Sequence, residues 1–218
     1  MNILTISDVL VPILYTPQIT QRFSDVDIVI DCGDLPHDYV EYIACNLNAV
    51  LFYVYGNHSH NITLHSTDEE PKIKSGTNLH HKVINYHGLL LAGIEGSGRY
   101  RDGPYQYSQG EMWFHVFLLI PGLLINRILY GRYLDIFVTH APPWGIHDQP
   151  DLPHQGIKAF RWLIQVFKPR YHIHGHIHVY RPDTIIETQV GSTRVINTFG
   201  YRLIKFELKK QLTTLPAN

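Results

Sequence analysis

Cysteine is nearly missing from this sequence of 218 residues: only Cys32 and Cys45 occur, with neither metal-type spacing nor a disulfide framework around them. A fold stapled by disulfides is excluded, and both thiols are expected as small core-filling side chains. An excess of charge of either sign is missing too. Lys and Arg number 18 against 19 Asp and Glu, for a net charge of −1 and a pI near 6.9. With no basic surplus to neutralise many phosphates, no strong nucleic-acid patch held by bulk electrostatics is expected. There is no internal repeat and no low-complexity linker. The opening Met1-Asn-Ile-Leu-Thr-Ile-Ser-Asp8 lacks the basic head and long apolar run of a signal peptide. It reads as a first strand, and the expected compartment is cytoplasmic. The most apolar segment, Trp113 to Leu129, is interrupted by His115, Pro121, Gly122, Asn126 and Arg127, so no membrane span is expected. A helix buried against the rest of the domain is preferred there over one touching a membrane or partner.

What is present is an apolar share of 44% against 17% charged, an ordinary balance able to fill a sizeable core. Residues 1–218 are therefore taken as a single domain. The unusual number is 15 histidines. Histidine is the commonest metal ligand, and the surplus prompts a search for a site.

Short apolar runs alternate with stretches of helical period. Strands are expected at Asn2–Ser7, Asp27–Cys32, Ala49–Tyr55, His81–Tyr86, Leu89–Ile94, Leu134–Thr139 and Tyr171–Gly175. Val40, Ile43, Ala44 and Leu47 mark one helix; Phe160, Leu163, Ile164 and Phe167 mark another, stopped by Pro169. The tail, Thr184–Leu208, reads as antiparallel strands with a turn near Gly191-Ser192. The early β-α-β-α-β order implies parallel strands with right-handed crossovers. Ligands bind such sheets in the crevice beyond the carboxyl ends of the strands.

Asp8, Asp34, Asn57, His140 and His176 all fall just past expected strand ends. Taken singly, each has an ordinary reading as a helix cap, a turn residue or a loop histidine. The block Tyr171-His-Ile-His-Gly-His-Ile-His178 resists that treatment, because a plain core does not choose four alternating imidazoles. Metal coordination offers such a cluster a physical reason.

The ordered set Ser7-Asp8, Gly33-Asp34, Gly56-Asn57-His58, Thr139-His140-Ala-Pro-Pro and Gly175-His176-Ile-His178 resembles the calcineurin-like metallophosphoesterase superfamily. The resemblance runs from residue 3 to about 180. It implies a four-layer α/β/β/α sandwich, with two mixed β-sheets face to face and helices outside each. It also implies two divalent metal ions per chain, with manganese the first choice and iron, zinc or magnesium the others. Asp34 would bridge the ions; Asp8 and His178 would complete one site, and Asn57, His140 and His176 the other. His58 would contact the phosphate and help the leaving group depart. Those roles make physical sense. Two carboxylates brought together repel unless a cation intervenes. Metals ~3.5–4 Å apart can share a hydroxide formed near neutral pH, which attacks phosphorus in line. A histidine is a suitable acid for the departing alkoxide.

Three positions depart from the family pattern. Leu10 stands where the first motif, Asp-x-His, has a metal-binding histidine, so solvent would fill the position or His37 or His60 would swing in. Ser59 and His60 follow the Asn57-His58 pair where an acid is common. A helper carboxylate has only the offset Asp38 as a candidate. His172 and His174 lie outside the matched motif and are expected to be structural. The segment Glu95–Tyr107 carries Gly flexibility, Arg99, Arg101 and three tyrosines, which makes Arg99 and Arg101 candidate substrate contacts. The expected activity is metal-dependent hydrolysis of a small phosphoester, first of all a phosphodiester, with monoesterase activity beside it. The alternatives are a metal-binding protein of the same fold with impaired catalysis, because of Leu10, and hydrolysis of a non-phosphate ester or amide.

Overall fold

The computed structural model describes residues 1–59 and 73–208. The first sheet contains β1 (Asn2–Ser7), β2 (Ile28–Asp31), β3 (Val50–Tyr53) and β4 (Thr77–Asn78), all parallel, with β13 (Gly200–Lys205) antiparallel to β1 at its edge. The second contains β5 (Val83–Tyr86), β6 (Leu89–Ile94), β9 (Ile136–Thr139), β10 (Tyr171–His174), β11 (Glu187–Val190) and β12 (Thr193–Asn197) in the order β11-β12-β10-β9-β6-β5. Its inner strands β6, β9, β10 and β12 are parallel, and the edge strands β5 and β11 are antiparallel. Both sheets are therefore mixed, as expected. A small pair, β7 (Ser97–Gly98) and β8 (Gln106–Tyr107), closes the loop after β6.

The layers follow from which faces are apolar. Ile3, Ile28, Ile30, Leu89, Leu91, Ile136, Val138, Ile173 and Ile196 form one buried cluster between the sheets. The other face of the first sheet packs on α1 (Ile19–Arg22) and α2 (His37–Leu47) through Leu4, Val29, Tyr39, Val40 and Ile43. The outer face of the second packs on α3 (Gln109–Tyr130) and α4 (Lys158–Phe167) through Phe137, Met112, Val116, Phe160 and Leu163. Strands covered on both faces are apolar throughout, which is why Ile28–Asp31 and Ile136–Thr139 read as continuous runs without alternation.

Three expectations need correction. The tail is a true hairpin only as far as β11 and β12. Past Asn197 the chain crosses to the first sheet, where β13 covers β1, so the last two strands serve different sheets. Helix α3, expected to be buried against the domain, packs on it along one face only. Ser108 and Glu111 cap its start reciprocally, and Gly131 ends it in a left-handed conformation at φ 71°. Met112, Val116, Leu119 and Leu123 face the sheet, while Phe114, Phe117, Leu118, Leu124, Ile125, Ile128 and Leu129 are exposed. The helix is long and apolar enough to cross a membrane by length and composition, yet its inner face is built into the core. Cys32 is a core residue, but Cys45 is exposed, because it falls on the solvent side of α2 between the buried Ala44 and the loop.

Between α3 and β9 an ion pair closes the turn. Asp135 is buried, accepts two hydrogen bonds from Arg132 at 2.9 Å and one from the Leu90 amide at 3.0 Å. Arg132 also donates to the Gly88 carbonyl at 2.7 Å. Asp135→Ala strands a guanidinium and an amide together and is expected to cost about 3 kcal/mol, the lower end of the range for breaking a buried pair. Removing the exposed Arg194–Glu187 pair should cost roughly 0–1 kcal/mol. Urea unfolding of the two variants measures both, and equal shifts in midpoint would refute the distinction.

Candidate metal centre

The ligands come from chain that has just left a strand and turned sharply. Asp8, Asp34 and His176 take φ of 65°, 61° and 68°, a left-handed conformation that side chains with a Cβ seldom adopt. Three such residues at one place mark strain held by the surrounding fold, a feature that concentrates at functional sites. The turns also need glycine. A methyl group on Gly33 would overlap the Gly56 amide, one on Gly56 would strike the Asp34 carboxylate and the His140 ring, and one on Gly175 would strike Ser7 and Asp8. Gly33, Gly56 and Gly175 are thus the places where neighbouring strand ends touch. Asp31, buried beneath, accepts the Gly33 amide at 2.8 Å and fixes that turn; burial pushes its carboxyl up to about 8.

Four groups converge at the centre. His140 Nε2 lies 3.2 Å from Asp34 Oδ2, 3.1 Å from Asn57 Oδ1 and 3.1 Å from His176 Nδ1. The protons on these groups point elsewhere. His140 donates through Nδ1 to the Cys32 carbonyl at 2.8 Å, and His176 donates through Nε2 to the Pro153 carbonyl at 2.8 Å. Asn57 turns its NH₂ outward to the Tyr100 hydroxyl at 3.3 Å, leaving its carbonyl oxygen inward. Asp34 is held by the His58 amide at 2.8 Å. With both rings neutral, two imidazole lone pairs, an amide oxygen and a carboxylate therefore face one point with no donor among them. Such a set repels itself unless something positive sits inside. Burial alone would depress His140, but Asp34 and then Asp8 override it and raise it to about 9. Burial works upward on Asp34, yet His140 and the His58 amide outweigh it and hold the carboxyl at about 2. A proton on His140 is one answer to the demand; a divalent cation held by all four groups is the other. The donor set fits the cation, since each histidine already has the carbonyl partner that metal-bound imidazoles use.

The remaining two expected ligands lie beside this quartet and are looser. Asp8 has a buried side chain, which accepts the His176 amide at 3.0 Å and is bonded by the Ser7 hydroxyl; burial raises its carboxyl. His178 is half exposed, with Nε2 3.9 Å from Asp8 Oδ1 and Nδ1 2.7 Å from the Tyr180 hydroxyl. Leu10 is 43% exposed, so it has no packing duty that would forbid a polar side chain. His37 is buried at the start of α2 with its ring 5.6 Å from Tyr55, and His60 lies outside the described residues. Asp38 accepts the Tyr39 amide at 3.1 Å.

His58 is exposed at the mouth of the centre, beside the ligand it neighbours in sequence. The loop after β6 reaches the centre through a residue that lies between the two expected arginines. Arg99 grips Glu111 with two bonds of 3.0 and 2.9 Å, and Arg101 lies over the Tyr100 ring at 5.4 Å. It is Tyr100 whose hydroxyl meets Asn57 and lies 3.5 Å from His58 Nε2. The only signal for it in the sequence was a tyrosine between two arginines in a Gly-rich loop. His172 and His174, expected to be structural, are both buried and hydrogen-bonded to protein groups. His172 donates to Thr139 at 2.8 Å among Phe137 and Phe160, and burial lowers it to about 3. His174 is joined to His147 at 2.9 Å, which is joined in turn to Thr188 at 2.9 Å.

A sequence model of the family described as calcineurin-like phosphoesterase matches residues 1–180. No curated protein matches the chain by sequence. Among solved structures, one crystal structure overlays 93% of this chain on 94% of its own at a TM-score of 0.60 and 16% identity. The protein TT1561 of Thermus thermophilus overlays 91% of this chain and 89% of its own, at 0.57 and 14%. The phosphopantetheinyl hydrolase PptH from Mycobacterium tuberculosis overlays 91% and 88%, at 0.50 and 14%. At such low identities these likenesses are of fold alone.

Tyr100 decides which end of the Asn57 amide faces inward. Tyr100→Phe removes the acceptor that anchors the NH₂, a loss of ~1 kcal/mol, so about fivefold more Mn²⁺ should be needed for half-maximal activity. Titration of chelator-stripped protein with Mn²⁺ measures this, and an unchanged midpoint would remove Tyr100 from the positioning of Asn57.

Proposed function

This chain belongs to the calcineurin-like phosphoesterase family, and from that premise we propose that it is a phosphodiesterase with a two-metal centre and a secondary monoesterase activity. Metal-dependent phosphoester hydrolysis is the activity that family membership supports. The observation that carries the reading is the inward set of Asp34, Asn57, His140 and His176, all acceptors with their protons directed elsewhere. These four would hold one ion, and Asp34 with Asp8 and His178 the other. When bound, divalent ions supply Lewis-acid activation of water and neutralise charge on the phosphoryl oxygens. Asp34 contributes the negative charge that lets two cations sit close together. His58, exposed beside Asp34, donates a proton to the leaving oxygen, and the Tyr100 hydroxyl 3.5 Å away orients its ring. Arg101 remains the substrate contact we propose from the loop; Arg99 is engaged by Glu111. A metal site with a purely structural role has no use for an exposed His58, which favours the enzyme over a metal-binding protein.

The test is hydrolysis of bis(p-nitrophenyl) phosphate and p-nitrophenyl phosphate by Mn²⁺-loaded protein. Asp34→Asn is expected to hold at most one ion at this centre and to lose nearly all turnover; two ions tightly held there with normal turnover would end the bridging assignment. His58→Ala should keep its metals but slow hydrolysis by roughly 10²–10⁴-fold, with a smaller loss for nitrophenyl esters than for alkyl esters. An equal loss on both would assign His58 to phosphate binding instead.

A second reading, the same fold with impaired catalysis, draws support from the looseness of Asp8 and His178, 3.9 Å apart with His178 half exposed. It makes a separate prediction. Leu10→His adds an imidazole two residues past Asp8 at a half-exposed position, so it should lower the Mn²⁺ needed for half-maximal activity without loss of stability. If wild type already retains two ions equally tightly and the variant does no better, Leu10 leaves no gap.

A further inference from the structure

Away from this centre, a second group of imidazoles gathers where β4, β6 and α3 meet. His80 and His81 follow β4, and His115 lies in the second turn of α3. His81 Nε2 stands 2.7 Å from His115 Nδ1, and one nitrogen of each of the three rings lies within 4.8 Å of the others. The ring centroids are 3.6 Å apart for His80 and His81, 4.7 Å for His81 and His115, and 5.2 Å for His80 and His115. A tetrahedral cation with Zn–N bonds of ~2.0–2.1 Å needs ligand atoms about 3.3 Å apart, inside the interval these rings already span.

We propose that His80, His81 and His115 form a further metal site, separate from the phosphoesterase centre, that takes a zinc-like divalent cation. Three imidazole nitrogens with an open fourth position are the donor set that suits zinc, nickel or copper better than magnesium or calcium. The charge is available nearby: the carboxylate of Glu95, just past β6, lies 3.5 Å from His80. Glu95 is itself held by the Tyr107 hydroxyl at 3.0 Å, and burial pushes it up to about 7, so a cation beside it would keep it ionised. Burial lowers all three histidines, which favours neutral rings able to offer a lone pair to a cation in place of their present hydrogen bonds. All three are partly exposed, so an ion can enter.

Two details of the backbone bear on the site. His81 adopts φ of 59°, the left-handed region, at a position where glycine or asparagine would sit with less strain. His80 accepts the Glu95 amide at Nδ1, 3.2 Å away, which keeps its proton on Nε2. Binding at Nε2 therefore requires the ring to release that amide and carry its proton on Nδ1; no proton leaves the ring. An ion held this way would fasten α3 to the segment that follows β4 and, through Glu95 and Tyr107, to the strand that closes the Tyr100 loop. The proposal does not rest on the phosphoesterase reading.

The probe is zinc alone. Chelator-stripped wild type, His81→Asn, His115→Gln and Asp34→Asn are dialysed against limiting Zn²⁺, and bound metal is counted by mass spectrometry. His81→Asn suits the left-handed backbone, so its folding is protected if His115→Gln proves unstable. Wild type is expected to hold one zinc more per chain than either histidine variant. Asp34→Asn should keep that zinc, whatever it loses at the other centre. Co²⁺ loaded in place of zinc should give the visible absorption of a tetrahedral nitrogen site in Asp34→Asn and not in His81→Asn. Equal zinc content in wild type and His81→Asn would overturn the site, as would loss of the same ion in Asp34→Asn. Thermal unfolding gives an independent readout: added Zn²⁺ should raise Tm less for His81→Asn than for wild type, and an identical rise would count against the proposal.

Discussion

The arrangement on which the rest of the centre depends is a set of lone pairs aimed at one another. His140 and His176 each give their single ring proton to a backbone carbonyl, and Asn57 gives its NH₂ protons to Tyr100, so what remains inside is acceptors. In a buried place of low dielectric, that convergence costs free energy unless a positive charge is held there. The two carbonyls are backbone groups of Cys32 and Pro153, so the orientation of each imidazole is written into the chain path and not into another side chain.

Holding the set together imposes conditions on the neighbouring backbone. Asp8, Asp34 and His176 keep left-handed conformations that isolated strand ends would not choose. Gly33, Gly56 and Gly175 allow the strand ends to touch. The Ser59 hydroxyl bonds the amides of Asp34 and Gly56 at 3.1 and 2.8 Å and ties the second and third turns to each other. The apolar cluster between the sheets supplies the rigidity: β2 and β9, from different sheets, present Asp34 and His140 to one point because Ile30 and Val138 pack between them.

The looser half of the centre shows what the same fold does without that convergence. His178 stands past the end of β10 in exposed chain, bonded to a tyrosine two residues on, and its approach to Asp8 is left at 3.9 Å. The contrast between the two halves is one of burial. The quartet is enclosed by both sheets, whereas His178 on the other side is half exposed, where water competes for its ring.

The ligand motifs were legible because each is a polar residue at a place the strand pattern marks as special: the end of an apolar run, often beside a glycine. Parallel order and period alone put Asp8, Asp34, Asn57, His140 and His176 on one rim. Tyr100, Cys45 and the outer face of α3 were not legible, each for a physical reason. Arg99 and Tyr100 are adjacent in sequence, and only the position of Glu111 on the helix decides that the arginine turns away and the tyrosine turns in. Cys45 and Ala44 are neighbours on a helix, and rotation about its axis puts one in the core and the other in solvent. The apolar run Trp113–Leu129 carries hydrophobic residues on every side, so periodicity could not show that the sheet covers one side only. What the chain determined by itself was the family of the fold and the chemistry of its ligands, because local pattern sets where strands end and what stands there. Which nitrogen of each histidine faces inward, which loop residue reaches the centre, and that His80, His81 and His115 meet at all were decided only by the tertiary structure, since each depends on groups brought together from distant parts of the chain by packing.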